Sequence, residues 1–384
     1  MQIVLVSNFA NHYLIPFADE LAKLTNNCFT FIETQPLPDS FKKSGFREYN
    51  RNYIVQGWQD KEKAMSLCRQ ADVMIAGGGK SALPYERIRL KEKGIILEYS
   101  ERVLKRGWPN LFSPTNVLSQ FFYHLFLYNK PAYKLCASAF AANDLYLQHS
   151  FVDKCFKFGY FPQIPSSNRN SSWESDTPKG SKIKIIWCGR FIKWKHPEMV
   201  LLLAKRLTEM GCDFEINMIG SGVLYEKIKS RVSESGLSEV VHLLGNFPNN
   251  KVLELMSEHH IFLFTSDKNE GWGVVLNEAM GQGCCPVASH MIGSVPYLIE
   301  DKVNGRIFES GNSDSLVDCV YSLISNVSEI KRMGQNAYDT MRNTWNPREA
   351  AVRLIKISEE LLRGNYFTYN NGPLSKASPI SQKY

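Results

Sequence analysis

The sequence lacks several features that would place it in a class of proteins at once. Its nine cysteines contain no C-x-x-C pair, so neither a disulfide framework nor a zinc ribbon is indicated, and we expect reduced thiols. No run reaches the about 18 uninterrupted apolar residues that a membrane-spanning helix needs. The N-terminus has no basic leader and turns polar after six residues, which predicts a buried strand and not a signal peptide. We therefore expect a cytoplasmic protein.

The familiar phosphate and metal motifs are absent as well. There is no D-x-D, which argues against a metal-held nucleotide-sugar site, and no G-x-G-x-x-G. The glycines within residues 76–94 lack the spacing of a P-loop. The net charge of +7 is concentrated in residues 1–165, where 20 Lys and Arg stand against 14 Asp and Glu. Such mild basicity suits an anionic membrane or a phosphate-bearing ligand, and we expect no nucleic-acid partner and no metal.

The chain of 384 residues, 44% hydrophobic, is long and apolar enough for two cores. Short apolar runs alternate with amphipathic stretches from end to end, which is typical of parallel strands joined by crossover helices. The first series of predicted strands comprises Ile3–Val6, Phe29–Glu33, Val73–Ala76, Ile95–Glu98 and Leu135–Ser138. The second comprises Ile183–Cys188, Phe214–Ile219, Val240–Leu244, Ile261–Phe264 and Cys285–Ala288.

The two series are separated by a stretch rich in Pro, Ser, Asn and charge, which predicts a linker at residues 166–182. An N-terminal domain at 1–165 and a C-terminal domain at 183–345 follow from it. The end of the chain, 367–384, has no periodicity and is predicted to be disordered. Because ligands of doubly wound sheets lie beyond the carboxyl ends of the strands, function is expected in the loops that follow them.

The segment "NEGWGVVLNEAMGQGCCPVAS", residues 269–289, holds two glutamates eight positions apart. A helix from Gly273 or Val274 to Gln282 is predicted, with Gly283 in a left-handed C′ position. Glu270 then precedes the helix and Glu278 lies in it. Eight residues turn a helix by about 800°, which is about 80° off register, so the two carboxylates do different jobs. Two alternatives stay open: Glu270 as a helix cap, and Glu278 as a solvated helix position.

Two glycine turns follow predicted strands in the same half. In "IIWCGRFIKWKHPEM" Gly189 makes the first turn, and Arg190 and Lys195 emerge before a helix near Pro197. A guanidinium fork and an ammonium suit a diphosphate, although a surface ion pair and a plain helix-entry lysine are the bland alternatives. In "MIGSGVLYEKI" Gly220 and Gly222 form the second turn, which alone is a weak sign of a nucleotide site.

Together these residues resemble the GT-B glycosyltransferases, specifically the retaining family 4, over most of residues 183–310. The E-x7-E segment that contains Glu270 and Glu278 is the specific part of the match. The resemblance implies that Glu278 hydrogen-bonds the ribose hydroxyls and that Glu270 lies beside the hydroxyls of the transferred sugar. It implies that Arg190 and Lys195 bind the diphosphate and act in catalysis with Glu270, without metal and with retention. The other donor-binding positions that it implies are Gly189, Gly220, Gly222, Gly271, Trp272, Gly273 and Val274.

The resemblance also implies an α/β architecture of two Rossmann-like doubly wound domains facing each other across a cleft. A final helix at 346–366, around Pro347–Leu362, would cross back to the N-terminal domain. The donor would be a nucleotide-sugar, and the acceptor a glycan or a polyprenyl-diphosphate-linked glycan of capsule, O-antigen or exopolysaccharide. A GT-B epimerase, a phosphorylase and a non-catalytic nucleotide-sugar-binding subunit remain as alternatives.

Two features of the N-terminal half are interpreted from position and composition. Asn11 and His12 follow the first strand, which predicts contact with the sugar or the acceptor; a turn or core hydrogen bond is the alternative. Arg102, Lys105 and Arg106 precede an aromatic stretch that runs from Trp108 to Tyr128. This stretch indicates either peripheral contact with an anionic membrane or an ordinary core helix with a basic flank.

Overall fold

The structure, a computed structural model, describes residues 1–43, 46–77, 79–82, 84–85, 94–105, 107–166 and 182–380. The described residues form two compact units: Met1–Gln163 with residues 344–380, and Ile164–Asn343. The predicted linker at 166–182 lies outside the described residues except for its first and last positions. No described helix has both the length and the apolar character that crossing a membrane requires.

The first unit contains a seven-stranded parallel sheet within the described ranges, in the order β3-β2-β1-β4-β5-β6-β7. The middle strands are mostly apolar because both faces are covered; all five residues of β1, Ser7 included, are buried. The strands are β1 Ile3–Ser7, β2 Phe29–Glu33, β3 Ile54–Gln56, β4 Val73–Ala76, β5 Ile95–Ser100, β6 Ala132–Cys136 and β7 Cys155–Lys157. The helices are α1 Ile15–Leu24, α2 Asp39–Lys43, α3 Lys61–Gln70, α4 Pro114–Phe122, which continues into a π-helical turn at Tyr123–Leu127, and α5 Ala141–Tyr146.

The second unit contains a six-stranded parallel sheet, again counting described residues, in the order β10-β9-β8-β11-β12-β13. Its strands are β8 Ile183–Cys188, β9 Phe214–Ile219, β10 Val241–Gly245, β11 Ile261–Phe264, β12 Cys285–Ser289 and β13 Arg306–Phe308. Its helices are α6 Pro197–Glu209, α7 Tyr225–Glu234, α8 Asn249–Ser257, α9 Val275–Gly281, α10 Val295–Leu298, α11 Ser313–Ile324 and α12 Val327–Asn343. The direction in which the strands are added reverses between β8 and β11, which makes this the switch point of the sheet.

The end of the chain returns to the first unit. Helix α13, Pro347–Leu362, packs against α1, and its Ala350, Ala351 and Leu354 are fully buried. The prediction of a disordered tail at 367–384 is wrong for its described part. Leu374 and Ala377 are buried, and the backbone around Lys376 pairs antiparallel with β7. The burial of Leu374 and Ala377, together with backbone pairing that does not depend on side-chain polarity, therefore orders a segment of polar composition.

Candidate functional site

The loops after β8 and β11 contain the side chains that the sequence predicted to bind a diphosphate and a sugar. β8 and β11 are hydrogen-bonded neighbours in the middle of the second sheet. Residues 189–196 follow β8, and residues 265–274 follow β11. Ligands of open α/β sheets bind beyond the carboxyl ends of the strands at such a switch point. The fold thus brings two segments that are distant in the sequence to the edge where a ligand is expected.

Lys195 and Glu270 meet across these two loops. The Lys195 Nζ donates a hydrogen bond to Glu270 Oε2, and only 12% and 15% of the two side chains are exposed. The ammonium also lies 5.4 Å from the centroid of the Phe264 ring. Removing one partner of a partly buried ion pair lowers the stability of the folded protein, because the other charge is left buried without compensation. The alternative in which Glu270 only caps a helix does not account for this pairing.

The backbone of the two loops is joined by a buried hydrogen-bond relay. The Thr265 hydroxyl donates to the carbonyl oxygen of Lys195 at 2.6 Å and accepts from Trp187 Nε1 at 2.9 Å. The Asp267 amide donates to the carbonyl oxygen of Trp194 at 3.0 Å. These contacts fix where Lys195 stands relative to the β11 loop. Thr265 and Asp267 were not predicted as part of the site, although their position in the loop after a buried strand was a signal for them.

His196 joins the same network from the end of the β8 loop. Its backbone φ of 48° is in the left-handed region, which is uncommon for a residue with a side chain. The imidazole contacts Glu198 Oε1 through Nδ1 at 2.8 Å and Asp267 Oδ2 through Nε2 at 3.3 Å. The hydrogen bond with Glu198 is the main cause that raises the pKa of His196. The two carboxylates therefore hold this residue, and with it the start of α6, in one orientation.

Glu278 lies in α9 and is buried, so the alternative of a solvated helix position is wrong. Its Oε1 accepts a hydrogen bond from Asn249 Nδ2 at 2.8 Å, and Asn249 is the first residue of α8. Burial raises the pKa of Glu278 to about 7, and the bond from Asn249 opposes that rise. A buried glutamate with one amide partner is suited to accept hydrogen bonds from ligand hydroxyls. Asn249 was not predicted as part of the site.

Gly273, between the two glutamates, has a structural reason to be glycine. Gly273 has a φ of +81°, and a β-carbon there would lie 2.3 Å from Phe264 Cζ. The Trp272 side chain is fully buried, and its Nε1 donates to Asn277 Oδ1 at 2.8 Å. The indole is thus an internal anchor of the loop, which leaves the backbone of Trp272 as its means of touching a ligand. Gly271 is buried beside it.

The helix that follows this loop was predicted nearly correctly. It spans Val275–Gly281, so it begins one residue after the later of the two predicted starts, and Val274 precedes it as the N-cap. Gly283 has a φ of +84°, which confirms the predicted left-handed position. The half-buried Val274 therefore lies at the junction of loop and helix.

The predicted donor-binding glycines after β8 and β9 hold two loops against each other. A β-carbon on Gly220, whose φ is +132°, would lie 2.0 Å from the carbonyl oxygen of Gly189. A β-carbon on Gly222 would likewise clash with the backbone of Phe191. On the other side, a β-carbon at Gly189 would lie 3.6 Å from Lys195 Cδ. These glycines thus allow the loops after β8 and β9 to pack closely next to Lys195. Their contact with a ligand stays a prediction.

Arg190 occupies the same loop as Lys195 but is more exposed. Its guanidinium lies 5.5 Å from the centroid of the Trp194 ring, a cation–π geometry. An exposed arginine that stacks on an aromatic ring retains donors for a phosphate. Its assignment to a diphosphate is a prediction that the geometry permits.

The two predicted acceptor-side residues lie in different surroundings in the first unit. Asn11 Oδ1 accepts from the amides of Tyr13 and Leu14 at 3.0 and 3.1 Å, and Asn11 also lines a cavity of about 320 Å³ at the ends of β1 and β5. His12 packs against the rings of Tyr13 and Phe46, at 3.7 and 4.8 Å between centroids. Burial, assisted by the charge of Arg47, lowers the pKa of His12 to about 4. The imidazole is therefore neutral at pH 7 and belongs to an aromatic cluster.

Within the described ranges, no three or more His, Cys, Asp or Glu side chains lie close enough together to hold a metal ion.

Comparison with known proteins gives a sequence match to the second half of the chain. Residues 169–340 match the family model described as glycosyl transferases group 1. This part of the chain is thus similar to that family. The chain is also 29% identical over 178 residues to an uncharacterized glycosyltransferase of Methanocaldococcus jannaschii, covering 46% of this chain and 48% of the relative. An amylovoran biosynthesis glycosyltransferase of Erwinia amylovora is 27% identical over 184 residues, covering 47% and 45%. The matches thus span about half the length of these curated relatives.

Solved structures resemble the chain over nearly its whole length. HepE of Anabaena in complex with UDP has a TM-score of 0.68 at 15% identity, covering 95% of this chain and 99% of that one. The lipopolysaccharide outer core galactosyltransferase WaaB has a TM-score of 0.68 at 15% identity, covering 94% and 99%. At this identity the likeness shows the fold alone. The chain has the GT-B fold, as its sequence predicted, with one Rossmann-like sheet in each unit.

Proposed function

We propose that this protein is a retaining, metal-independent glycosyltransferase of family 4. It moves a sugar from a nucleotide-diphosphate-sugar to a glycan or a polyprenyl-diphosphate-linked acceptor, in the cytoplasm and in the assembly of a cell-envelope polysaccharide. The match of residues 169–340 to the glycosyl transferases group 1 model and relatives named for amylovoran and colanic acid biosynthesis support this assignment. Solved GT-B neighbours that hold UDP and UDP-glucose support a nucleotide-sugar donor.

The observation on which the proposal mainly rests is the Lys195–Glu270 pair at the switch point of the second sheet. Breaking a sugar–phosphate bond builds negative charge on the departing diphosphate and positive charge on the anomeric carbon. A fixed ammonium lowers the energy of the first charge, and a carboxylate beside the sugar lowers that of the second. In this mechanism the diphosphate takes Lys195 from Glu270, and Arg190 contributes a second cation. Glu270 then orients the hydroxyls of the transferred sugar.

The remaining donor contacts follow from the same arrangement. Glu278 accepts hydrogen bonds from the ribose, while backbone amides of the Gly271–Gly273 loop and of Val274 bind the sugar or the diphosphate. Gly189, Gly220 and Gly222 keep the loops close enough to the donor for backbone contact. In the first unit, Asn11 contacts the acceptor from its cavity, and His12 supports that loop through its aromatic neighbours.

The affinity for a nucleotide-sugar is expected to fall as the pH is lowered from 8 to 6. Ribose hydroxyls donate to the charged form of Glu278, whose pKa burial raises to about 7 in the free protein. Each pH unit below that pKa then costs up to about tenfold in affinity, since a proton must be released on binding. Isothermal titration calorimetry measures this affinity at each pH, with whichever of UDP-, GDP- and ADP-glucose the protein binds. Glu278→Gln should bind more weakly and without the pH dependence; a wild-type affinity that is constant over this range would refute the assignment.

The same raised pKa has a consequence for the free protein. Because the folded state prefers the neutral form, Glu278 contributes stability at pH values below 4.5, its ordinary pKa, and this contribution is lost as the pH rises through about 7. Urea titrations of wild type and Glu278→Gln at pH 5 and pH 7.5 test the sign. The wild type should lose more stability between the two pH values than the variant does.

Product analysis tests the proposed activity against its alternatives. The purified protein is incubated with UDP-, GDP- and ADP-sugars and candidate acceptors, with and without EDTA, and the products are analysed by NMR. The proposal expects a new glycosidic bond with the donor's anomeric configuration and no loss of rate in EDTA. An epimerised nucleotide-sugar, a sugar phosphate formed only with added phosphate, or binding without turnover would favour an epimerase, a phosphorylase or a non-catalytic subunit, respectively.

A further inference from the structure

Helix α4 and the turn after it present a row of large apolar side chains to solvent. Leu118, Phe121, Leu125 and Tyr128 follow each other at intervals of three or four residues, so they lie on one face of the helix. Their exposed fractions are 66%, 63%, 58% and 55%, and that of Phe112, just before α4, is 76%. Single exposed apolar residues are common, but a continuous apolar row marks a surface that binds something. We call these five residues the α4 face.

The opposite side of the same helix is an ordinary core. Phe122, Tyr123 and Leu127 are buried in a cluster with residues of α5 and β6. The rings of Tyr123 and Phe151 lie 4.3 Å apart, between centroids. The prediction of a core helix is therefore correct for this stripe only. Because the helix is anchored along its buried stripe, the α4 face is held rigidly outward.

The segment that contains α4 is basic in its sequence. Residues 102–143 contain five Lys and Arg and no Asp or Glu. Lys130 is exposed at the end of the face, and the half-buried Lys154 lies beside it, where its Nζ donates to the carbonyl oxygens of Tyr128 and Lys130 at 3.1 and 3.4 Å. An apolar row with lysines at its end matches the order of acyl chains and anionic headgroups at a bilayer surface.

The basic residues that the sequence assigned to this contact have other partners. Arg102 is buried and pairs with Asp144 at 3.0 Å, and Lys105 pairs with Glu101. Arg106 lies outside the described residues. A single sequence does not reveal that the carboxylate of Asp144, 42 residues away, neutralises Arg102. The positive charge available to a headgroup is therefore at the other end of the helix.

We propose that the α4 face inserts into the surface of an anionic bilayer, with Lys130 and Lys154 at the level of the headgroup phosphates. Phenylalanine and leucine enter the acyl boundary, and Tyr128 lies at the interface, where amphipathic rings are favoured. The inference rests on the proposed function for its purpose, because a lipid-linked acceptor is reached at a membrane surface. The binding itself requires neither donor nor acceptor.

Vesicle flotation of the full chain tests this contact. Vesicles of phosphatidylcholine alone and of phosphatidylcholine with phosphatidylglycerol are used, and wild type is expected to float mainly with the second. The double variant Phe121→Ser, Leu125→Ser should lose at least about tenfold in partition. Val223→Ser, at a residue of the second unit that is 87% exposed, is the matched apolar control and should float as wild type does. Lys130→Glu should weaken only the binding to anionic vesicles, whereas Lys229→Glu, an exposed lysine of α7, should not.

A second measurement does not depend on the folding of the double variant. In Phe121→Trp, fluorescence should be quenched by brominated lipid beyond the quenching of wild type, and Val223→Trp should show no such excess. Equal flotation of the double variant and wild type, or no excess quenching in Phe121→Trp, would overturn the proposal. So would a wild-type dimer, seen by light scattering, that the double variant dissociates, since a second copy would then cover the face. Nucleotide-sugar titration of the same proteins separates a failure here from a failure of the proposed function.

Discussion

Lys195→Ala is expected to lower kcat by about 10²–10³ while the protein stays folded. The hydrogen bond from Thr265 fixes the backbone of Lys195, and the ammonium lies beside the Phe264 ring and Glu270. It is thus oriented before the diphosphate begins to leave, and water that replaces it must reorganise during the reaction. The loss should fall mainly on kcat because the charge that Lys195 stabilises grows in the transition state.

Lys193→Ala is the matched control for this variant. Lys193 lies in the same 3₁₀ turn, Lys193–Lys195, and is exposed. Lys193→Ala removes the same charge from the loop as Lys195→Ala does, and it should leave kcat within about twofold of the wild-type value. Steady-state rates with a saturating donor, together with circular dichroism of both variants, make the comparison. If the two alanine variants had the same kcat, the diphosphate would be stabilised by other groups.

Gly220→Ala is expected to lower the free energy of unfolding by about 3–5 kcal/mol. A β-carbon at this position would lie 2.0 Å from the carbonyl oxygen of Gly189, which is backbone and cannot rotate away. The φ of +132° adds strain that an L-residue rarely tolerates. The loops after β8 and β9 must separate to accept the methyl group, so donor binding should weaken together with stability.

Gly211→Ala separates the effect of the steric clash from the effect of the positive φ. Gly211 also has a positive φ, +69°, but a β-carbon there would meet no heavy atom within 4 Å. This variant should lose only about 1 kcal/mol, the cost of the left-handed conformation alone. Urea denaturation of both proteins measures the difference. Equal losses would mean that the close approach of the Gly189 and Gly220 backbones is not a source of stability.

The central strands of both sheets could be predicted from the sequence, and three of the four edge strands could not. Strands such as β4 and β11 are four buried residues in a row, so the apolar run itself defines them. The missed strands β3, β7 and β13 have three residues each and form three of the four sheet edges. An edge strand is half as well covered, and a pairing of three residues leaves no periodic pattern. The β6 prediction, Leu135–Ser138, was displaced toward the C-terminus because the strand begins at Ala132, directly after a proline.

The candidate site was predictable residue by residue but not as an arrangement. Glu270 and Lys195 each stand out beside glycine turns, yet their ion pair joins positions 75 residues apart. The relay through Thr265 and the amide of Asn249 on Glu278 are likewise tertiary contacts. His12 shows the converse: its place after a strand indicated function, whereas its surroundings are the rings of Tyr13 and Phe46. Patterns along a chain identify which residue types stand at strand ends, and packing decides which of them meet.

A crystal structure with the nucleotide selected by the donor titrations tests the central claim most directly. The account predicts that the diphosphate takes Lys195 Nζ from Glu270 Oε2, the bond present in the free protein. It also predicts a ribose hydroxyl within about 3.2 Å of the Glu278 carboxylate, beside the existing bond from Asn249. A nucleotide bound elsewhere, with the Lys195–Glu270 pair intact and Glu278 without a ribose contact, would contradict it.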